Sequence, residues 1–165
     1  MDKNQIVSKI NRAAPGAVLE ARRFGRSDMT SVWIEAQSIE KVAELLRFDP
    51  DISLDWLENL SVVELDGCLV LSYFLLSTAH PKLEIVVRSS LVPDTLQAEV
   101  EVPSVQAVWP MGIAMEQEAH LLFGVRFRAS SLEHKPKQDF DFGRLFSTKF
   151  PDEIRGFPLR KKYGK

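Results

Sequence analysis

At 165 residues and 45% apolar, the chain has the length and composition of one domain with a real core. A net charge of -2 argues against a general nucleic-acid binder, and a single cysteine, Cys68, excludes an intrachain disulfide and the thiolate sets of iron–sulfur clusters and structural zinc. Residues 1–12 lack the continuous apolar stretch of a secretory signal. The longest run free of Asp, Glu, Lys and Arg, 67–81, falls short of the roughly 20 residues that span a bilayer. These features predict a reduced, cytoplasmic setting with at most indirect membrane attachment.

In chain order, Ile6, Val7 and Ile10 at helical spacing behind Asp2 predict a short amphipathic helix over 3–13, stopped by Pro15-Gly16. Two strands follow over 17–24 and 31–36, the second alternating Val32 and Ile34 against Ser31 and Trp33, with 25–30 as their turn. Ser38 is the expected cap of a helix burying Ile39, Val42, Leu45 and Leu46, ended by Asp49-Pro50. A loop holding Trp56 and Leu57 then leads through Val62, Val63 and Leu65 to Asp66-Gly67, a dipeptide suited to a two-residue hairpin turn. The return strand, 68–77, is apolar at nearly every position and reads as central. A third strand over 82–89 follows the His80-Pro81 turn. Pro103-Ser104 is expected to open a helical region that runs to Phe123, where Gly124 stops it, and 125–127 is extended. The order predicts a two-layer α+β domain over 1–154, with a mainly antiparallel or mixed sheet and helices on one face. The last eleven residues, 155–165, carry five of the 21 basic residues and no acid. They read as a cationic, extended partner-binding tail on an acidic body.

Chemistry is harder to find. Glu116 and His120 lie four apart and would share a helix face, but a third metal ligand is missing. His80 and His134 read as surface residues, and Cys68, opening an apolar strand, as a buried thiol rather than a nucleophile. No G-x-G-x-x-G, G-x-x-x-x-G-K-[ST] or G-x-S-x-G motif is present. The aromatics Phe123, Phe127, Phe140, Phe142, Phe146 and Phe150 stand among acids as well as bases, which favours core packing and protein contact over stacking on nucleic acid. Binding rather than catalysis is the expectation.

The stretch WPMGIAMEQEAHLLFGVRF (109–127) resembles the signature of the complex I 30-kDa subunit family, an E-R-E triplet before an aromatic F-G-[IV]-x-F run. Glu116, Glu118, Phe123, Gly124, Val125 and Phe127 stand at those positions. The ending GFPLRKKYG (156–164) is similar to the family's G-[HF]-P-L-R-K-[DK]-[FY]. LLRFDPDISLDWLENLSVVEL (45–65), YFLLS (73–77) and VPSVQAVWP (102–110) extend the resemblance over roughly 38–164. Departures from the family pattern are Gln117 for the central arginine, His120 for an acid, Ile113-Ala114 for Asn-Trp, and Arg128-Ala129-Ser130 for Gly-His-Pro. They remove charge from one contact surface.

The resemblance implies a structural subunit of the peripheral arm of NADH:quinone oxidoreductase, at the cytoplasmic face of the membrane and attached only through the complex. It implies that the chain holds no cofactor and is itself non-catalytic, the complex using NADH, FMN, iron–sulfur clusters and quinone. The 49-kDa (D) subunit and neighbouring iron–sulfur subunits are the implied partners. Glu116, Glu118, Phe123, Gly124, Phe127, Gly156, Phe157, Pro158, Leu159, Arg160, Lys161 and Tyr163 are the implied contact residues, with Glu116 and Glu118 exposed for ion pairing. The equivalent scaffold of a membrane-bound hydrogenase or formate-oxidising complex is the alternative. A stand-alone metal enzyme using Glu116 and His120 is the reading from a different class.

Overall fold

Ile6 and Ile10 lie one turn apart, and α1 (Lys3–Ala13) buries both. An isolated 11-residue helix is too short to be stable in water. Each fully buried aliphatic contributes roughly 1.5–3 kcal/mol, so packing of these two holds it in place. The computed structural model describes residues 3–23, 29–95, 98–128, 157, 159 and 160. Strands β1 (Val18–Arg23) and β2 (Thr30–Ile34) pair antiparallel, and a 3₁₀ turn (Ala36–Ser38) leads into α2 (Ile39–Phe48). Lys9 ties the end of α2 to α1 through Asp49 at 2.6 Å and Asp51 at 2.7 Å.

Next come β3 (Trp56–Leu65), β4 (Cys68–Leu76), β5 (Glu84–Leu91), β6 (Val100–Pro103), α3 (Gly112–Phe123) and β7 (Val125–Arg128). Five strands form one sheet in the order β1-β2-β5-β4-β3, antiparallel except for the parallel β2–β5 pair. Strands β6 and β7 form a separate parallel pair. The fold is mixed α+β, as the residue pattern predicts.

Strand register decides the two faces. Leu57, Leu60, Leu71, Tyr73, Leu75 and Val87 point to one side and share a buried core with Ile6, Ile10, Val42, Leu46 and Trp109. On the other side Arg88 stacks 4.6 Å from the Trp33 ring and donates from Nε to Ser72 Oγ at 3.0 Å, with Val70 and Val86 buried beside it.

The Asp66-Gly67 turn takes the two positive φ angles, 48° and 80°, that its sequence suits. Three expectations need correction. Trp56 and Leu57 open β3 rather than a loop: a bulge between Leu57 and Asn59 resets the alternation, so Leu57 and Leu60, three apart, both face the core. Ser38 makes no side-chain capping bond, because the 3₁₀ turn already places it in helical backbone, at φ -91° and ψ -3°. Pro103 ends a strand rather than opening a helix. At the last position of β6 its missing N–H costs little, and Val100 and Val102 are buried by the β7 pairing.

Candidate functional site

The segment 104–111 makes the floor of the candidate site. Trp109 is fully buried and donates Nε1 to the Leu54 carbonyl at 2.9 Å, fixing the entrance to α3 against the start of β3. Gly112 lets α3 approach closely, since a Cβ there would stand 3.2 Å from a methyl of Leu57.

One turn into α3, Glu116 points inward and is 1% exposed. Its Oε1 accepts from the Val105 N–H at 2.8 Å; its Oε2 accepts from Ser104 Oγ at 2.7 Å and Gln106 Nε2 at 2.8 Å. Burial raises its carboxyl above the usual carboxylate range, outweighing the three donors that favour the charged form. The expectation of an exposed Glu116 is therefore corrected. The helix places it on the core side, where it organises the 104–106 turn. Glu118, two residues on, is exposed as expected.

His120 sets its Nδ1 3.2 Å from the Val125 carbonyl and lines a cleft of about 290 Å³ with Gln106, Glu116, Gln117, Arg126 and Phe127. Both oxygens of Glu116 are already engaged by donors, and no group of three His, Cys, Asp or Glu side chains that could hold a metal occurs among the described residues. His80 is exposed; Cys68 is half-buried rather than fully enclosed, because it sits at the hairpin end of β4.

Gly124 ends α3 in the left-handed region at φ 67°, its N–H returning to the His120 carbonyl at 2.8 Å. Against it lies the ring of Phe157, with which a Cβ on Gly124 would collide. The Leu159 N–H donates to the Leu122 carbonyl at 3.1 Å. Arg160, 5% exposed, donates from Nε to the Phe123 carbonyl at 2.6 Å and from Nη1 to the Ala98 carbonyl, and stacks 4.9 Å from the Phe157 ring. Burial lowers its guanidinium from the ordinary value, while the charges of Glu64 and Glu99 act in the opposite direction.

An extended tail with Arg160 seeking a partner's acids is thus corrected at Phe157, Leu159 and Arg160. The acceptors Arg160 uses are the bare Phe123 carbonyl at the end of α3 and the Ala98 carbonyl ahead of β6. The other tail residues singled out, Gly156, Pro158, Lys161 and Tyr163, lie outside the described residues, as do His134, Phe140, Phe142, Phe146 and Phe150. Phe123 and Phe127 are half-buried against the core and Gly124 is buried. Sequence reasoning missed Ser104, Gln106 and Ala98; a turn residue bonding an acid ten or more positions away leaves no local signal.

The model of the family described as respiratory-chain NADH dehydrogenase, 30 Kd subunit, matches residues 32–165. The chain belongs to that family. It is similar to the NADH-quinone oxidoreductase C subunit of Roseiflexus sp. (strain RS-1), 26% identical over 172 residues that span 98% of this chain and 83% of the relative. The corresponding C subunit of Roseiflexus castenholzii (strain DSM 13941 / HLO8) is 29% identical over 164 residues, with the same shares.

Solved structures share the fold. One is a chain of the membrane-bound sulfane sulfur reductase, an archaeal respiratory membrane complex, with a TM-score of 0.57 at 21% identity, covering 84% of this chain and 75% of that one. Another is the trypsin-resistant fragment (1–134) of Nqo5 in a P63 crystal form, with a TM-score of 0.56 at 13% identity, covering 76% and 94%. As a 30-kDa-type subunit the chain has protein partners in a multi-subunit respiratory complex. No helix among the described residues is long and apolar enough to cross a membrane.

Proposed function

We propose that this 30-kDa-type subunit is a structural, non-catalytic member of the peripheral arm of a proton-translocating NADH:quinone oxidoreductase. In this reading it packs against the 49-kDa (D) subunit and neighbouring cluster-bearing subunits on the cytoplasmic side of the membrane, and carries no redox group. The observation that carries the reading is the family match over 32–165, which includes both the α3 signature and the C-terminal ending. Supporting it, the acid of that signature, Glu116, is spent on holding the chain's own turn, and Cys68 is the only thiol. A role in electron transfer is then indirect: the subunit fixes the positions of subunits that hold NADH, FMN, clusters and quinone. Its surface-facing candidates for contact are Glu118, Leu121 and Leu159.

The fold likeness to a chain of an archaeal sulfane sulfur reductase keeps a second reading in view, the same scaffold role in a related membrane-bound complex such as a hydrogenase or a formate-oxidising assembly. Affinity purification of the tagged chain from its own cells separates them. Co-purification of a 49-kDa-type subunit with flavin-bearing NADH dehydrogenase subunits, and loss of membrane NADH:quinone activity on deletion, is the expected result. Recovery of hydrogenase or formate dehydrogenase subunits would favour the second reading, and a stoichiometric flavin or cluster in the isolated chain would overturn the cofactor-free part of the first.

A further inference from the structure

The cleft lined by the 104–106 turn, α3 and β7 has a one-sided chemistry. His120 sets Nδ1 on the Val125 carbonyl, which can only accept, so Nδ1 carries the proton and Nε2 of the neutral ring is left as an acceptor. Gln106 directs its NH2 to Glu116 Oε2 at 2.8 Å. Its carbonyl Oε1, like the side-chain amide of Gln117, has no hydrogen-bond partner among the described residues. Phe127, half-buried, adds an aromatic ring to the lining. Charge runs the same way. Glu116 is buried with three neutral donors and makes no ion pair among the described residues, so its charge is solvated but not cancelled. Arg126, the cation of the lining, is turned to Glu99 at 2.7 Å. Size excludes larger ligands: about 290 Å³ lies at the foot of the range of roughly 300–1,000 Å³ usual for cofactors and drug-sized molecules, and holds a group of side-chain size.

We propose that this cleft is a binding site for a small guanidinium-bearing molecule. A guanidinium is a flat, permanently charged fork of N–H donors. Gln106 Oε1 and His120 Nε2 accept from it, the Phe127 ring packs against it, and Glu116 supplies the opposing charge from the cleft floor. A compact ammonium holds its water more tightly and has no plane to lay on a ring, so it is the poorer ligand. The site does not depend on the proposed function, because every residue of its lining belongs to this chain.

Titration of the full chain with methylguanidinium at constant ionic strength, followed by backbone amide shifts in two-dimensional NMR, tests the site. Saturable shifts centred on Gln106, Gln117, His120 and Phe127 are expected, with a dissociation constant on the order of millimolar for so small a probe. N-methylurea, the neutral isostere, and methylammonium should each bind at least about fivefold more weakly. Gln117→Arg, which brings the chain's own guanidinium to the cleft on a residue that suits a helix, should weaken binding about tenfold or more while the protein melts with wild type. Glu118→Gln, which removes an exposed acid of the same helix outside the lining, should leave binding unchanged. Shifts that never saturate, methylurea binding as well as methylguanidinium, undiminished binding by Gln117→Arg, or an equal loss in Glu118→Gln overturns the proposal. The comparison of probes is made on the wild type, so it decides the matter even if the arginine variant folds poorly.

Discussion

Glu116→Ala removes the one acceptor shared by three donors, and the cost follows from where each donor is left. The Val105 N–H is buried and has no other partner within the turn, which is worth about 1–3 kcal/mol once unsatisfied. Ser104 keeps the bond it accepts from the Gln106 N–H at 3.1 Å but its own O–H loses its acceptor, whereas Gln106 lines the cleft, where its NH2 can turn to water. Against these costs, alanine relieves the burial that raises the Glu116 carboxyl. The net expectation is a loss of about 2–4 kcal/mol, or roughly 5–15 °C in melting temperature for a chain of this size. Glu116→Gln should lie between: its carbonyl can take the position that accepts from Ser104 and Gln106, but its NH2 then confronts the Val105 N–H.

The pH dependence provides a second check. A carboxyl raised in the folded state binds its proton more tightly there than in the unfolded chain, so its contribution is fully present below the ordinary carboxylate value and declines as pH rises through the raised one. The stability difference between wild type and Glu116→Gln should therefore shrink with rising pH across that window. Thermal and denaturant unfolding of the isolated chain measure both effects. An alanine variant within a degree or two of wild type would refute the buried, three-donor geometry and return Glu116 to the surface.

Three further outcomes follow from the same reasoning. Tyr73 is fully buried with no partner for its hydroxyl among Ile39, Val42, Leu46 and Trp109, and burial followed by the nearby Glu116 charge raises its phenol well above the ordinary value; Tyr73→Phe should raise the unfolding free energy by about 0.5–2 kcal/mol, and destabilisation would reveal a missed acceptor. Gly124→Ala should cost at least about 1–2 kcal/mol from its left-handed backbone alone and should also unseat Phe157, visible as faster exchange of the Leu159 amide; a variant that melts with wild type would refute the packing. Asp55 is held below the usual carboxylate range by the Thr78 hydroxyl and N–H, so its contribution is present at neutral pH and lost as pH falls through that range; Asp55→Asn should flatten this acid limb of the stability profile, and an unchanged limb would assign it elsewhere.

Much of this architecture can be read from local pattern because the forces that set it are local. Asp66-Gly67 dictates its own turn, Val32 and Ile34 their own face, and Gly124 its own helix stop. What escapes is whatever depends on a partner distant in sequence. The alternation of β3 looks broken at Glu58-Asn59 until the bulge is known, and β6 is four residues whose pairing strand lies beyond a whole helix. Tertiary pairing decides both, and no propensity near residues 56 or 100 competes with it.

The site divides along the same line. A family signature identifies Glu116 and Arg160 as positions that matter, and charge alone then suggests exposed ion pairs with another subunit. Physical chemistry in the fold assigns them the opposite surroundings. A carboxylate surrounded by three donors and a guanidinium bonding two carbonyls direct these bonds into the chain itself. The side chains left facing outward are less conspicuous in sequence: Leu121 and Leu159, ordinary apolar residues, and Glu118, the second acid of the signature. If assembly uses this end of the molecule, burial of such exposed apolar side chains is the larger source of affinity, and Glu116 acts by holding α3 against the 104–106 turn.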